Sequence, residues 1–305
     1  MTSKACEGRV VIVTGAGRGI GRAHALALAG AGAAVVVNDL GVQADGRDPS
    51  SEPADGVVAE VLGAGGEAVA VPVDVASEEG ADRLVATALK RFGRLDAVVN
   101  NAGILRSGLL LRTTLADWRA VLDVHLTGTF LLTRAAAVHW RERAKAGDAV
   151  DARVVNTSST AGLYGFVGEA AYSAAKAGIV GFTLTAAAEL QRYGVTVNAI
   201  APAALTRLTA WAAADDGAEA VLPGPALVSP LVVWLVSSDS AGVTGRVFEV
   251  GGGEITVVEG WRPGQPVRHA VDDDPVAIGQ EVRARLAEAG EPVPVFVPGT
   301  SEGSP

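Results

Sequence analysis

Val10-Val11-Ile12-Val13-Thr14-Gly15-Ala16-Gly17-Arg18-Gly19-Ile20-Gly21 reads as a short apolar strand that breaks into a glycine-rich turn and re-emerges as a helix. The β-branched run favours extended backbone. The glycines allow a tight turn and a close approach of the chain to a ligand. A helix opening at this point directs free N–H groups and the positive end of its dipole into the turn, an arrangement suited to a pyrophosphate. Three glycines in a loop are a weak sign by themselves. Their place between strand and helix makes Gly15, Gly17, Arg18, Gly19, Ile20 and Gly21 candidate cofactor-binding residues, the bland reading being a merely structural turn.

Outward from this unit the rhythm repeats. Nearly continuous apolar runs occur at Ala34–Asp39, Ala68–Val73, Ala97–Asn100, Arg153–Ser158, Thr196–Ile200 and Val247–Val250. They alternate with helical stretches near Ile20–Ala31, Gly56–Leu62, Ala81–Phe92, Leu115–Lys145, Tyr172–Tyr193 and Leu227–Val236. Strands without in-and-out alternation are covered on both faces. The pattern therefore predicts an α/β fold, a doubly wound parallel sheet of Rossmann type with about seven strands and a C-terminal extension. Residues 1–253 are expected to form the catalytic domain and 254–305 an extension packed on it, with a helix over Pro275–Ala289. Gly41–Asp55 reads as a polar surface loop and Ala203–Pro225 as a lid.

Asp39 ends the second strand about 20 residues past the glycine turn, where a carboxylate meets the adenosine ribose hydroxyls. Its charge repels a 2′-phosphate, so NAD is favoured over NADP, although Arg18 in the turn could contact such a phosphate. Asp74 and Val75 follow the third strand, on the side of the adenine edge. Asn101-Ala102-Gly103 follow the fourth, where small residues let backbone pass beside the cofactor. These two groups read equally well as ordinary strand-end turns.

Composition narrows the function class. The chain has 305 residues, 49% of them apolar, and a formal net charge of −9. That charge argues against nucleic acid or an anionic membrane as partner and leaves room for a small anionic substrate. Cys6 is the single cysteine, so an internal disulfide is excluded; His24, His125, His139 and His269 are scattered, and no zinc site assembles by spacing. Neither a signal-peptide core nor a membrane-length apolar run is present, and a cytoplasmic location is expected.

Tyr172-Ser173-Ala174-Ala175-Lys176 places a phenol and an ammonium four residues apart, on one helix face. A tyrosine titrates near pH ~10, and a neighbouring ammonium is expected to bring it towards a useful range for proton transfer. Ser159, at the end of the fifth strand, is placed to hold a substrate oxygen; alone, it would read as a helix cap.

The glycine turn, Asn100-Asn101-Ala102-Gly103, Ser159 and Tyr172 with Lys176 together resemble the short-chain dehydrogenase/reductase family, in order and spacing from Gly8 to Gly253. The resemblance implies that Ser159, Tyr172 and Lys176 are catalytic, with Tyr172 and Lys176 also touching the cofactor. It further implies that Pro202 borders the cofactor, that Thr206 holds the nicotinamide carboxamide, and that the protein is a metal-free homodimer or homotetramer. One departure stands out: the family's catalytic asparagine is replaced by His125 in Val124-His125-Leu126-Thr127-Gly128. His125 could relay protons from Lys176, tune that lysine or simply pack in the core; an ordinary histidine would titrate near ~6.5. The family's usual Pro-Gly after the sixth strand is also Pro202-Ala203 here. The His125 run, Val37–Gly41, Gly103–Arg106, Pro230–Leu235, Phe248–Gly251 and Trp261-Arg262-Pro263 are similar to one subgroup. This is the 3-hydroxyacyl-CoA dehydrogenase part of the D-specific multifunctional enzyme of peroxisomal β-oxidation, or 17β-hydroxysteroid dehydrogenase type four. The implied activity is NAD-dependent interconversion of a secondary alcohol and a ketone on a 3-hydroxyacyl-CoA, a hydroxysteroid or a steroid side-chain thioester. The alternatives are an NADPH-dependent 3-oxoacyl carrier-protein reductase and a non-catalytic NAD-sensing or scaffold protein.

Overall fold

A computed structural model of the chain describes residues 4–204, 224–268, 270, 274–289 and 295. In chain order the elements are β1 Val10–Thr14, α1 Gly19–Gly30, β2 Ala34–Asn38, α2 Glu52–Gly63, β3 Glu67–Ala70, α3 Glu78–Phe92 and β4 Ala97–Asn100. Then come α4 Leu115–Leu122, α5 Gly128–Lys145, β5 Ala152–Thr157, α6 Thr160–Tyr164, α7 Ala170–Leu190 and β6 Val195–Ala203. Last are α8 Ser229–Val236, β7 Val247–Gly251, β8 Glu254–Val258 and α9 Pro275–Ala289.

The strands form one sheet in the order β3-β2-β1-β4-β5-β6-β7-β8. Every pairing is parallel except the last, β7 with β8. Each central strand splits its side chains between two apolar layers. Val11, Val13, Val35 and Val37 face a cluster with Leu28, Val61, Val232 and Leu235. Ile12, Val36 and Val98 face the opposite cluster with Leu84, Leu132, Trp140 and Ala186. Helices α1, α2 and α8 thus cover one face and α3, α5 and α7 the other, which is why the strand sequences show no alternation.

Helix α2 begins at Glu52, with a proline in its first turn, so the expected loop Gly41–Asp55 ends earlier than its composition suggests; three further boundaries differ for local reasons. β3 leaves the sheet before Pro72, which lacks an N–H; the Asn38 side chain instead takes the carbonyls of Val71 and Val73, both at 2.9 Å. The stretch expected as one helix over Leu115–Lys145 is broken by a π-helical turn at Asp123–Thr127. By length and composition that stretch could cross a membrane, yet Leu132, Ala136 and Trp140 are sealed in the core. Finally, the sheet has an eighth strand, drawn from residues expected to belong to the extension. Gly252 and Gly253 both have positive φ, 60° and 86°, the backbone of a two-residue hairpin turn, and β8 folds back on β7 with Gly251 opposite Glu254. In the tail, α9 spans the expected residues and is mostly exposed. Val295 reaches the main body at Gly165, 3.4 Å from where a Cβ there would lie. Most of the expected lid, including Thr206, lies outside the described residues.

Candidate active site

The chain order reverses across β1 and β4, and their carboxyl ends open a crevice at that switch point. The glycine turn leaves β1 into it. Gly15 and Gly19 have φ of 61° and 53°. A Cβ on Gly15 would sit 2.7 Å from the Ala102 Cα, and one on Gly21 2.1 Å from the Gly15 carbonyl oxygen. Larger residues therefore cannot be accommodated. Helix α1 starts with no side-chain cap and no acidic residue in its first turn, which leaves its N-terminal N–H groups for an anion. Asn101 pins the turn from the β4 side: its Nδ2 donates to the carbonyls of Thr14 and Gly15 at 2.9 and 3.1 Å. The Thr14 hydroxyl accepts from the Asn101 and Ala102 amides at 2.9 and 3.0 Å. Thr14 was not singled out in the sequence, since a threonine ending a β-branched strand carries no special signal.

Asp39 is buried over the turn. One carboxylate oxygen accepts from the Gly17 amide at 2.7 Å and the other from the Gly41 amide at 2.6 Å. Each oxygen keeps a further lone pair, the geometry a vicinal diol needs. Arg18 is turned away to the polar insert, donating to the Val42 carbonyl at 3.2 Å. That insert is strapped to the loop after β4: the Leu105 amide donates to the Ala44 carbonyl at 2.9 Å, and Arg106 reaches the Asp45 carbonyl and the Asp117 carboxylate at 3.0 and 2.8 Å. Asp74 is exposed beyond β3, its Oδ1 accepting from the Ala76 amide. Val75 is buried, packed where a Cβ on Gly128 would come within 3.0 Å. Pro202 lies near the end of β6, opposite Val250. The cradle, the uncapped helix and the Asp39 carboxylate fit an NAD(P) dinucleotide.

The chemical residues gather at the ends of β5 and β6. Ser159 caps α6, its hydroxyl accepting from the Ala161 amide at 3.2 Å, and the same hydroxyl neighbours the Tyr172 phenol. The helix-cap reading of Ser159 thus holds, and its hydroxyl also faces the phenol. Lys176 is buried and donates to the Thr157 carbonyl at 2.6 Å, while Ser158 donates to the Lys176 carbonyl at 2.9 Å. Gly162 lets α6 lie directly on α7, since a Cβ there would sit 2.6 Å from the Lys176 main chain. The Lys176 Nζ lies 5.5 Å from the centre of the Tyr172 ring.

Burial dominates the protonation of this pair. It pushes Lys176 down to about 7 and Tyr172 up to about 12, the Ser159 hydroxyl pulling the phenol back only in part. The expected lowering of the phenol by the ammonium is outweighed, because both groups share one low-dielectric pocket that favours their neutral forms. The phenol is accordingly protonated at neutral pH, ready to act as an acid towards a ketone.

His125 sits in the π turn, fully sunk. Its Nε2 is 2.8 Å from the Ile104 carbonyl oxygen and 3.1 Å from the Ile104 amide. The ring meets Tyr172 edge-on with centroids 5.2 Å apart. It fills the space a Cβ on Gly103 would need, at 2.3 Å. Burial, then the Lys176 charge, lowers its pKa to about 3, so it is a neutral imidazole and not the group near 6.5 expected from its reference value.

The family profile of short chain dehydrogenases matches residues 9–217. The chain belongs to the short-chain dehydrogenase/reductase family, oxidoreductases that use NAD(P) and act on CH–OH groups. It is 49% identical over 257 residues to hydroxyacyl-CoA dehydrogenase ChsB1 of Mycobacterium tuberculosis, covering 82% of this chain and 80% of that one. It is 47% identical over 249 residues to mouse peroxisomal multifunctional enzyme type 2, covering 82% of this chain but 32% of that longer protein. A 3-oxoacyl-[acyl-carrier-protein] reductase of Synechocystis is 44% identical over 261 residues, covering 82% of this chain and 98% of that one. Among solved structures, a short chain dehydrogenase from Mycobacterium avium superposes with a TM-score of 0.86 at 51% identity, over 97% of this chain and all of that one.

Proposed function

We propose that the protein is an NAD-dependent dehydrogenase of 3-hydroxyacyl thioesters. The observation that carries this reading is the meeting of Ser159, Tyr172 and Lys176 beside a glycine turn guarded by a carboxylate. The glycine turn, the start of α1 and Asp39 would hold NAD, which would supply the hydride acceptor for the carbinol carbon. The Ser159 hydroxyl holds the substrate oxygen, and Tyr172 takes its proton as the ketone forms, returning it in the reverse direction. Lys176, fixed by the Thr157 carbonyl, is placed to bind the ribose next to the reacting ring. His125 holds the loop at Ile104 and braces the phenol. The thioester substrate is supported by the name of ChsB1, a hydroxyacyl-CoA dehydrogenase.

The carrier-protein reductase of Synechocystis supports a second reading, reduction of a 3-oxoacyl thioester with NADPH. Asp39 and the engagement of Arg18 by Val42 weigh against a 2′-phosphate and favour the first. Exposed apolar residues on neighbouring helices, Phe130 and Val138 on α5 and Leu184 on α7, support self-association. The test is an absorbance assay of 3-hydroxyacyl-CoAs, hydroxysteroids and polyols with both cofactors. Tyr172→Phe is expected to lower turnover by ~10²–10⁴-fold while leaving NAD affinity nearly intact. Wild-type turnover in that variant would remove Tyr172 from the acid/base role.

A further inference from the structure

Glu169 has no part in the chemistry so far. It is the residue from which α7 springs, three positions before Tyr172 and on the same face of the helix. Its main chain is pinned on every side. The Glu169 amide donates to the Phe166 carbonyl at 3.2 Å and its carbonyl accepts from the Ser173 amide at 2.8 Å. Glu169 also forms a parallel bridge with Gly108, and the Gly108 amide donates to the Gly168 carbonyl at 2.7 Å. The turn before α7 and the loop after β4 are thereby joined. The residue is only 7% exposed, and among the described residues its carboxyl has neither a hydrogen-bond donor nor a cation to pair with. A carboxylate this little exposed, with no cation beside it among the described residues, is costly to ionise.

We propose that Glu169 is a positioning residue for proton transfer: a carboxyl held one helical turn ahead of Tyr172 whose charge sets how readily the phenol releases its proton, and so the pH range of alcohol oxidation. The proposal rests on the reading of Tyr172 as the acid/base. Burial raises the Glu169 carboxyl to about 7, so its charge changes across the working range. When ionised, it raises the phenol further. The surrounding titratable groups do not offset it. On α7, Lys176 lies seven residues on and is committed to the Thr157 carbonyl. From the π turn, His125 is neutral. Beyond the Gly108 bridge, Arg106 is paired with Asp117.

Oxidation needs the deprotonated phenol, and an anion beside it opposes deprotonation. Glu169→Gln removes the charge and keeps the shape, so the acidic limb of kcat/KM for oxidation is expected to move to lower pH by roughly one pH unit, the scale of one nearby charge in a partly buried site. Glu169→Asp, which retains the charge, is expected to keep the wild-type limb. In the free protein the tyrosinate absorbance assigned to Tyr172 by difference from Tyr172→Phe should titrate earlier in Glu169→Gln. An unmoved limb or an unmoved tyrosinate titration in folded Glu169→Gln overturns the proposal, as does a limb displaced as far in Glu169→Asp. Should Tyr172→Phe be fully active, the acid/base reading itself falls. An inactive Tyr172→Phe with an unmoved Glu169→Gln profile sinks the Glu169 inference alone.

Discussion

Replacing His125 by leucine removes a side chain that ties the π turn to the loop after β4 by hydrogen bonding. In the native site Nε2 lies 2.8 Å from the Ile104 carbonyl and 3.1 Å from its amide, inside a fully buried contact. Leucine fills similar volume but leaves the Ile104 peptide without that partner, at ~1–3 kcal/mol for a buried unsatisfied group. The edge-on contact with Tyr172 adds ~0.5–1.5 kcal/mol. The sum, roughly 2–4 kcal/mol, corresponds to a fall in Tm of about 4–8 °C for a domain of this size. Turnover should fall as well, because both Ile104 and the phenol ring lose a fixed neighbour. Asparagine has a donor and an acceptor for the same peptide, so His125→Asn is expected to recover much of the stability and activity. A lowered pKa of about 3 further means that no limb near pH 6.5 in the rate profile belongs to His125. Thermal melts and kcat for both variants decide the matter. A leucine variant with wild-type Tm would refute the anchoring role, and a limb near pH 6.5 lost in His125→Asn would reinstate a proton relay.

Asp39→Ala should weaken NAD by about 10–100-fold, as for loss of charge-assisted hydrogen bonds worth ~1.5–3 kcal/mol, and should narrow the gap to NADP; equilibrium titration with both nucleotides measures it, and a wild type that prefers NADP would show the assignment wrong. Acid stability supplies a separate check through His24, buried with its Nδ1 3.0 Å from the Ser229 hydroxyl and its pKa lowered to about 3 by burial. The unfolded chain takes up that proton near ~6.5 and the folded one does not, so stability is complete above that pH and declines towards 3, by at most ~1.4 kcal/mol per pH unit for this group. His24→Gln should flatten the pH dependence of the urea midpoint between pH 7 and 5, and an unchanged slope would exclude His24 as its source.

The sequence announced those parts of the molecule whose chemistry is local. Val11 to Val13 and Val35 to Val37 had to be doubly covered strands, and Gly15 and Gly21 had to be glycines. Tyr172 and Lys176 share a face because four residues make about one helical turn. What stayed hidden depends on elements brought together from afar. Nothing near Gly162 says that α6 will lie on the Lys176 backbone, and nothing near His125 foretells the π turn that directs it inward. The expected ammonium effect on Tyr172 failed for a related reason: spacing reveals who is adjacent but not how dry the pocket is. The hairpin at Gly252-Gly253 is hidden in the sequence by the change in composition beyond Glu254, which resembles a domain end.

Two half-sites from separate parts of the chain have to be kept in register. The cofactor crevice is built on β1 and β4, the proton-transfer group on α7, and hydride transfer tolerates little misplacement between them. A buried polar ladder links the two. Asn100, on β4, donates to Thr133 on α5 at 3.0 Å and to Asn156 on β5 at 2.9 Å. Asn156 donates in turn to the Thr183 hydroxyl on α7 at 2.9 Å, and Thr183 to the Ile179 carbonyl at 2.8 Å. Apolar contacts alone would let a helix slide over a sheet by fractions of an ångström at little cost, whereas a chain of buried hydrogen bonds is satisfied in one register and penalised in others. The same β4 end carries Asn101, which clamps the glycine turn, and the same α7 carries Glu169, Tyr172 and Lys176. Binding and chemistry are therefore fixed to each other through the middle of the sheet.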